Sequence, residues 1–147
     1  MSENRWVWQC ERVIPSETGA SSPILQEILD QLEKQAWIQH DIFSVHLAME
    51  EALVNAIRHG NRLDTSKQVH VACRVSPELI RIEITDEGEG FDPSSVPDPT
   101  DPAHIEAPSG RGLMLMRSFM SRVEYNDVGN RVVMEKERAK QDNQERE

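Results

Sequence analysis

Two runs of alternating side chains constrain this chain most. Val69, Val71, Cys73 and Val75 alternate with polar or small residues, and Ile80, Ile82 and Ile84 alternate with Arg81, Glu83 and Thr85. Successive side chains leave a strand on opposite faces, so a period of two marks two strands with one apolar face each. Ser76-Pro77-Glu78 between them reads as a turn, which makes the pair an antiparallel hairpin. Its apolar face needs a cover.

Helices can supply that cover. Ser22 followed by Pro23 is a helix start, and Ile24, Leu25, Ile28, Leu29 and Leu32 recur at helical spacing, which predicts a helix to about Ala36 with Trp37 near its end. A longer helix is expected from about Asp41, as cap, to His59, with Gly60 free to take a left-handed stop. At 100° per residue Ile42, Val45, Met49, Ala52, Leu53 and Ala56 share one face, and Ser44, Ala48, Glu51, Asn55 and His59 form an adjoining stripe. Phe43, Leu47 and Val54 make a second apolar patch, to be covered by the first helix, a loop or a partner.

The remaining chain adds edges and a long irregular stretch. Arg5 to Ile14, with Trp6, Val7, Trp8 and Val13, suits a strand closed by Pro15. Asp92 to Gly110 has no lysine or arginine and no helix or strand period, which predicts a loop of lid or binding type. A short helix is expected from Gly112, with Ser109 or Gly110 at its start. A closing hairpin follows, with Val123 and Tyr125 in one strand and Val132 to Met134 in the other. The fold class that follows is α+β: a two-layer α/β sandwich with a mixed, mainly antiparallel sheet and helices on one face. One domain over 1–137 and a charged, disordered tail over 138–147 complete the expectation.

Sixteen basic against twenty-six acidic residues leave a formal charge of −10, which disfavours nucleic acid and anionic membranes as direct partners. No stretch is apolar over the roughly 18 residues of a membrane span, and Met1 to Trp6 lacks a signal-type apolar run, so a cytoplasmic protein is expected. Cys10 and Cys73 stand far apart in sequence and read as reduced core residues rather than a redox or metal motif.

Three short motifs could carry chemistry. Asp86-Glu87-Gly88-Glu89-Gly90 ends a strand with a fixed acceptor beside a bare backbone, which lets a flat ring approach and offers its exocyclic amine a partner. Ser109-Gly110-Arg111-Gly112 opens a helix, where free amides, the helix dipole and Arg111 suit phosphate. Glu51 and Asn55 sit at i, i+4, so both can face one cavity: a carboxamide oxygen suits Mg²⁺, and a carboxylate can accept a proton from a hydroxyl. Singly, each also fits a structural role as an acidic turn, an ordinary helix start or a solvated helix face. Their joint order supplies base, metal ligand, ring site and phosphate site.

In that order the sequence resembles the Bergerat-fold, or GHKL, ATPase superfamily, and within it the small bacterial anti-sigma-factor serine kinases. Glu51 to Gly60 looks like the N box, Asp86 to Gly90 like the first glycine box and Ser109 to Leu113 like the second. The resemblance implies ATP and Mg²⁺ between the long helix and a lid at about 92–111. Asn55 would ligate the metal and Glu51 would be the catalytic base. Asp86 would hold the adenine amine, and His59, Gly88, Gly90, Gly110, Arg111 and Gly112 would meet the nucleotide. It implies phosphorylation of a serine on a STAS-domain anti-anti-sigma protein, with a sigma factor as a further partner and a homodimer as an assembly. A nucleotide-gated binding module without kinase activity, and a histidine-kinase-like catalytic domain acting in trans, are the alternatives. One departure stands out: Asn130 follows Gly129 where the family commonly has threonine, at the water-mediated part of adenine recognition.

Overall fold

The computed structural model of the 147-residue chain describes residues 6–88, 116–126 and 128–139. In chain order these form β1 (Trp8–Pro15), α1 (Ser22–Lys34), α2 (Gln39–Val54), a π-helical turn (Asn55–Gly60), β2 (Gln68–Val75), β3 (Leu79–Thr85), β4 (Arg122–Tyr125) and β5 (Arg131–Glu137). The five described strands pair in the order β1-β2-β3-β5-β4. Every pairing among them is antiparallel, so the mixed sheet expected from sequence is uniform here.

The register explains the alternation. Cys73 lies opposite Ile82, Ile82 opposite Met134, and Val71 opposite Ile84, so the apolar set of each strand falls on one face. That face packs against Ile24, Ile28 and Leu32 of α1 and Val45, Met49 and Leu53 of α2 in one continuous core. Each fully buried aliphatic side chain contributes roughly 1.5–3 kcal/mol relative to exposure. Leu53, wholly buried, is a position where truncation to alanine would cost about 2–5 kcal/mol. The opposite face is polar: Arg81 bonds Glu135 at 3.1 Å and Glu83 at 3.2 Å, while Arg131 reaches Glu83 from β5.

Several boundaries move. Ser21 rather than Ser22 caps α1, without a side-chain bond, and α2 starts after Ile38 rather than at Asp41. Asp41 is instead buried in the first turn, where its Oδ2 accepts the Ala139 N–H at 2.9 Å. Arg138 beside it donates to the Gln35 and Ala36 carbonyls at 3.1 and 2.9 Å and lies 5.5 Å over the Trp37 ring. The described residues run through Ala139, and the rest of the expected tail, 140–147, lies outside them. Cys10 and Cys73 are free and buried, but they stand directly opposite each other across β1 and β2.

The helix expected to run to His59 is α-helical only to Val54. Beyond it the turns widen, and the Asn61 N–H reaches back five residues to the Ala56 carbonyl at 2.8 Å. Gly60 does not supply the left-handed stop; Arg62 (φ 54°) and Leu63 (φ 59°) do. Gly60 is required for another reason: a Cβ there would fall inside the Asp86 carboxylate.

Candidate functional site

β3 and the π-helical turn meet at the strand end that carries Asp86. The Asp86 N–H donates to the Asn130 carbonyl at 2.9 Å, which extends the β3–β5 ladder by one bond. Oδ1 of Asp86 accepts the Gly88 N–H at 2.8 Å and folds Asp86-Glu87-Gly88 into a tight turn. Among the described residues Oδ2 has no hydrogen-bond partner. A Cβ on Gly88 would collide with the Gly60 carbonyl, so the two glycines let turn and helix end touch. Burial pushes the Asp86 carboxyl above the usual aspartate range, while the Gly88 N–H and the Lys67 charge pull it partly back.

The cavity beside Asp86 holds about 130 Å³ and is walled by Asn55, His59, Gly60, Ile84, Tyr125 and Val132, among others. That is below the ~300 Å³ at which pockets for drug-sized ligands begin, so it matches the ring end of a nucleotide rather than the whole. Asn55 is 9% exposed, and its Nδ2 is buried without a hydrogen-bond partner among the described residues. A carboxylate oxygen without a partner among the described residues, a buried carboxamide and a cradle with no room for a Cβ suit a polar planar ligand, so the residues present fit a nucleotide. Asn55 Oδ1 is an oxygen donor of the kind a hard divalent cation takes.

Sequence reasoning missed three residues here. Tyr125, the only tyrosine, ends β4 opposite Val132 and lines the cavity; burial pushes its phenol up to about 12, with the Asn55 amide pulling against that shift. Its place at a strand end before a turn was the available signal. Asn61 is fully buried, and its Oδ1 accepts the Glu87 N–H at 2.7 Å while Nδ2 donates to Ser16 Oγ at 2.8 Å and the Gln68 carbonyl at 3.0 Å. Asn126 holds the β4–β5 turn by accepting the Gly129, Asn130 and Arg131 N–H groups. Asn130, at the position of the family's threonine, lines the cavity with its side-chain carbonyl tied to Asn126 Nδ2 at 2.9 Å.

Of the residues singled out from sequence, Asn55, His59, Asp86 and Gly88 come together. Glu51 sits one turn back along α2 and lines a neighbouring groove with Glu50, Leu47, Val54 and Phe119. Its charge is close enough to Tyr125 to help raise the phenol. Gly90, Gly110, Arg111 and Gly112 lie outside the described residues, as does the start of the third helix; residues 116–119 are helical.

The histidine kinase-like ATPase domain model matches residues 14–136, which takes in both the sheet and the cavity. The chain belongs to that family. The family is one of ATPase domains, so ATP is the nucleotide that membership implies for the chain. Among curated relatives, the serine-protein kinase RsbW of Oceanobacillus iheyensis is 30% identical over 99 residues, covering 63% of each chain. The anti-sigma F factor of Clostridium perfringens is 29% identical over 103 residues, 65% of this chain and 72% of its own. The chain thus matches somewhat less than two thirds of the length of that RsbW. A solved structure of the RsbU and RsbW domains of a Mycobacterium tuberculosis protein superposes with a TM-score of 0.61 at 14% identity, over 90% of this chain and 32% of that one. It carries the same fold, and the resemblance of the motifs to the anti-sigma-factor kinases within the family stands. Among the described residues no helix is long and apolar enough to cross a membrane.

Proposed function

We propose that the chain is an ATP-dependent protein-serine kinase that phosphorylates a STAS-domain anti-anti-sigma protein, with a sigma factor as its competing partner. The observation that carries this reading is the placement of Glu51 and Asn55 on one helix. Asn55 faces the cavity with Asp86, and Glu51 faces the adjoining groove. The printed names of the relatives, a serine-protein kinase and an anti-sigma factor, support it.

Asp86 would take the adenine amine on Oδ2, and Asn55 would hold Mg²⁺ through Oδ1. The ion, when bound, neutralises charge on the phosphates. In transfer the serine Oγ bonds to the γ-phosphorus, the bond from that phosphorus to the β–γ bridging oxygen breaks, and ADP leaves. Glu51 receives the serine proton.

Incubation of the protein with radiolabelled ATP and the STAS protein encoded nearest to it tests the reading. Acid-stable label on a serine is expected. ATP binding with no label would leave a nucleotide-gated binding module, and acid-labile label on a histidine would favour a histidine-kinase-like domain acting in trans.

A further inference from the structure

The groove beside Glu51 holds about 350 Å³ and is built on Leu47, Glu50, Glu51 and Val54, with Phe119 as its other wall. Those α2 positions follow the i, i+3, i+4, i+7 rule, so they form one continuous helix face of the kind that is ordinarily buried. Among the described residues none of α1 lines it. Phe43, one turn back, is 54% exposed, with its ring 6.3 Å from Phe119 in a T-shaped contact.

What could lie on this face is limited by the two carboxylates at its centre. An apolar cover would strip water from Glu50 and Glu51 without replacing it, which is costly for ionised groups. A second copy placed by a two-fold axis would set the same carboxylates against themselves. The chain's own segment 92–110 brings Asp92, Asp98, Asp101 and Glu106 and no lysine or arginine, so its composition does not complement the two glutamates. The face suits a partner with an apolar side chain and a cation close together.

Resting on the kinase reading, we infer that this groove docks the phosphoacceptor segment of the substrate protein. An apolar side chain beside the acceptor serine seats between Leu47, Val54 and Phe119, and a lysine or arginine flanking it pairs with Glu50. The serine hydroxyl is then delivered to Glu51, on the same helix that turns Asn55 toward the nucleotide.

The test uses the full chain with the STAS protein encoded nearest to it. Binding of that protein is measured by calorimetry, transfer by steady-state kinetics, and ATP affinity by a separate titration, for wild type, Leu47→Lys and Glu50→Lys. Both variants should weaken STAS binding and raise its KM by about tenfold, as loss of one anchoring contact does, with ATP affinity and thermal midpoint unchanged. Unchanged STAS affinity in both variants would overturn the inference. So would a fall in ATP affinity, which would mark the groove as a seat for segment 92–110, or a change in oligomeric state, which would mark it as a contact between copies. If wild type binds the STAS protein without labelling it, the kinase reading falls while the binding arm still decides the groove. If wild type neither binds nor labels it, both fall.

Discussion

Asn61 Oδ1 accepts the Glu87 N–H at 2.7 Å, joining two loops 26 residues apart in sequence. The same carboxamide donates to Ser16 Oγ and the Gln68 carbonyl, so the end of the π-helical turn, the end of β1, the start of β2 and the Asp86 turn share one buried side chain. Replacing Asn61 by alanine strands a buried amide and a buried carbonyl. A loss of about 3 kcal/mol in unfolding free energy is expected, together with weaker ATP binding. Asn61→Asp keeps the acceptor for Glu87 and should retain more ATP affinity than stability. Denaturant melts and nucleotide titration of both variants check this.

Gly60→Ala should act on the ligand more than on the fold. Its Cβ would occupy the place of the Asp86 carboxylate, which must move for the helix end to survive. ATP affinity is expected to drop by at least about tenfold. Gly19→Ala is the matched control: its φ of 88° costs about 1–2 kcal/mol with an alanine, yet a Cβ there meets nothing within 4 Å, so ATP binding should be unaffected.

Burial is the main cause that raises the Asp86 carboxyl, and only its charged form offers both oxygens as acceptors. ATP affinity should therefore fall on acidification at a higher pH than an ordinary aspartate would produce. The stability effect has the opposite sense. The folded state holds this proton more tightly than the unfolded state, so ionisation of Asp86 lowers stability as pH rises from the ordinary to the raised value. Asp86→Asn should raise the thermal midpoint near neutral pH and weaken ATP binding at once. A variant that loses stability and keeps affinity would contradict the assignment.

Glu83 behaves in the reverse way. Its hydrogen bond from Arg131 chiefly, with the Arg131 charge and Arg81 adding, holds its carboxyl below the usual glutamate value of 4.5. The stability it contributes is present above that value and is lost as pH falls through the depressed one. Glu83→Gln should cost at most about 1 kcal/mol near neutral pH and flatten the acid limb of the stability profile. Chemical melts between neutral and acid pH read this directly.

Strand alternation and the main helical faces were legible because burial imposes a period that side chains reveal. Asn55 stood out as a carboxamide one turn from Glu51 on an otherwise apolar helix, and Asp86 as a carboxylate at a strand end before two glycines. The π-helical turn was not legible, since nothing local in Asn55 to Gly60 disfavours a continued α-helix, and the close approach of Gly60 to Asp86 exists only in the folded chain. Asn61 and Tyr125 escaped for a related reason. Their roles depend on segments that only the register brings near, and an asparagine after a glycine reads equally well as a turn. The pairing of Cys10 with Cys73 likewise exists only once β1 is set against β2.

The division of labour between Glu51 and Asn55 is tested most directly by single-turnover transfer from ATP to the STAS serine in Glu51→Ala. ATP affinity should match wild type, and the transfer rate should fall by about 10²–10⁴-fold, the usual contribution of a general base. Transfer at the wild-type rate, or loss of ATP binding in this variant, would contradict the account.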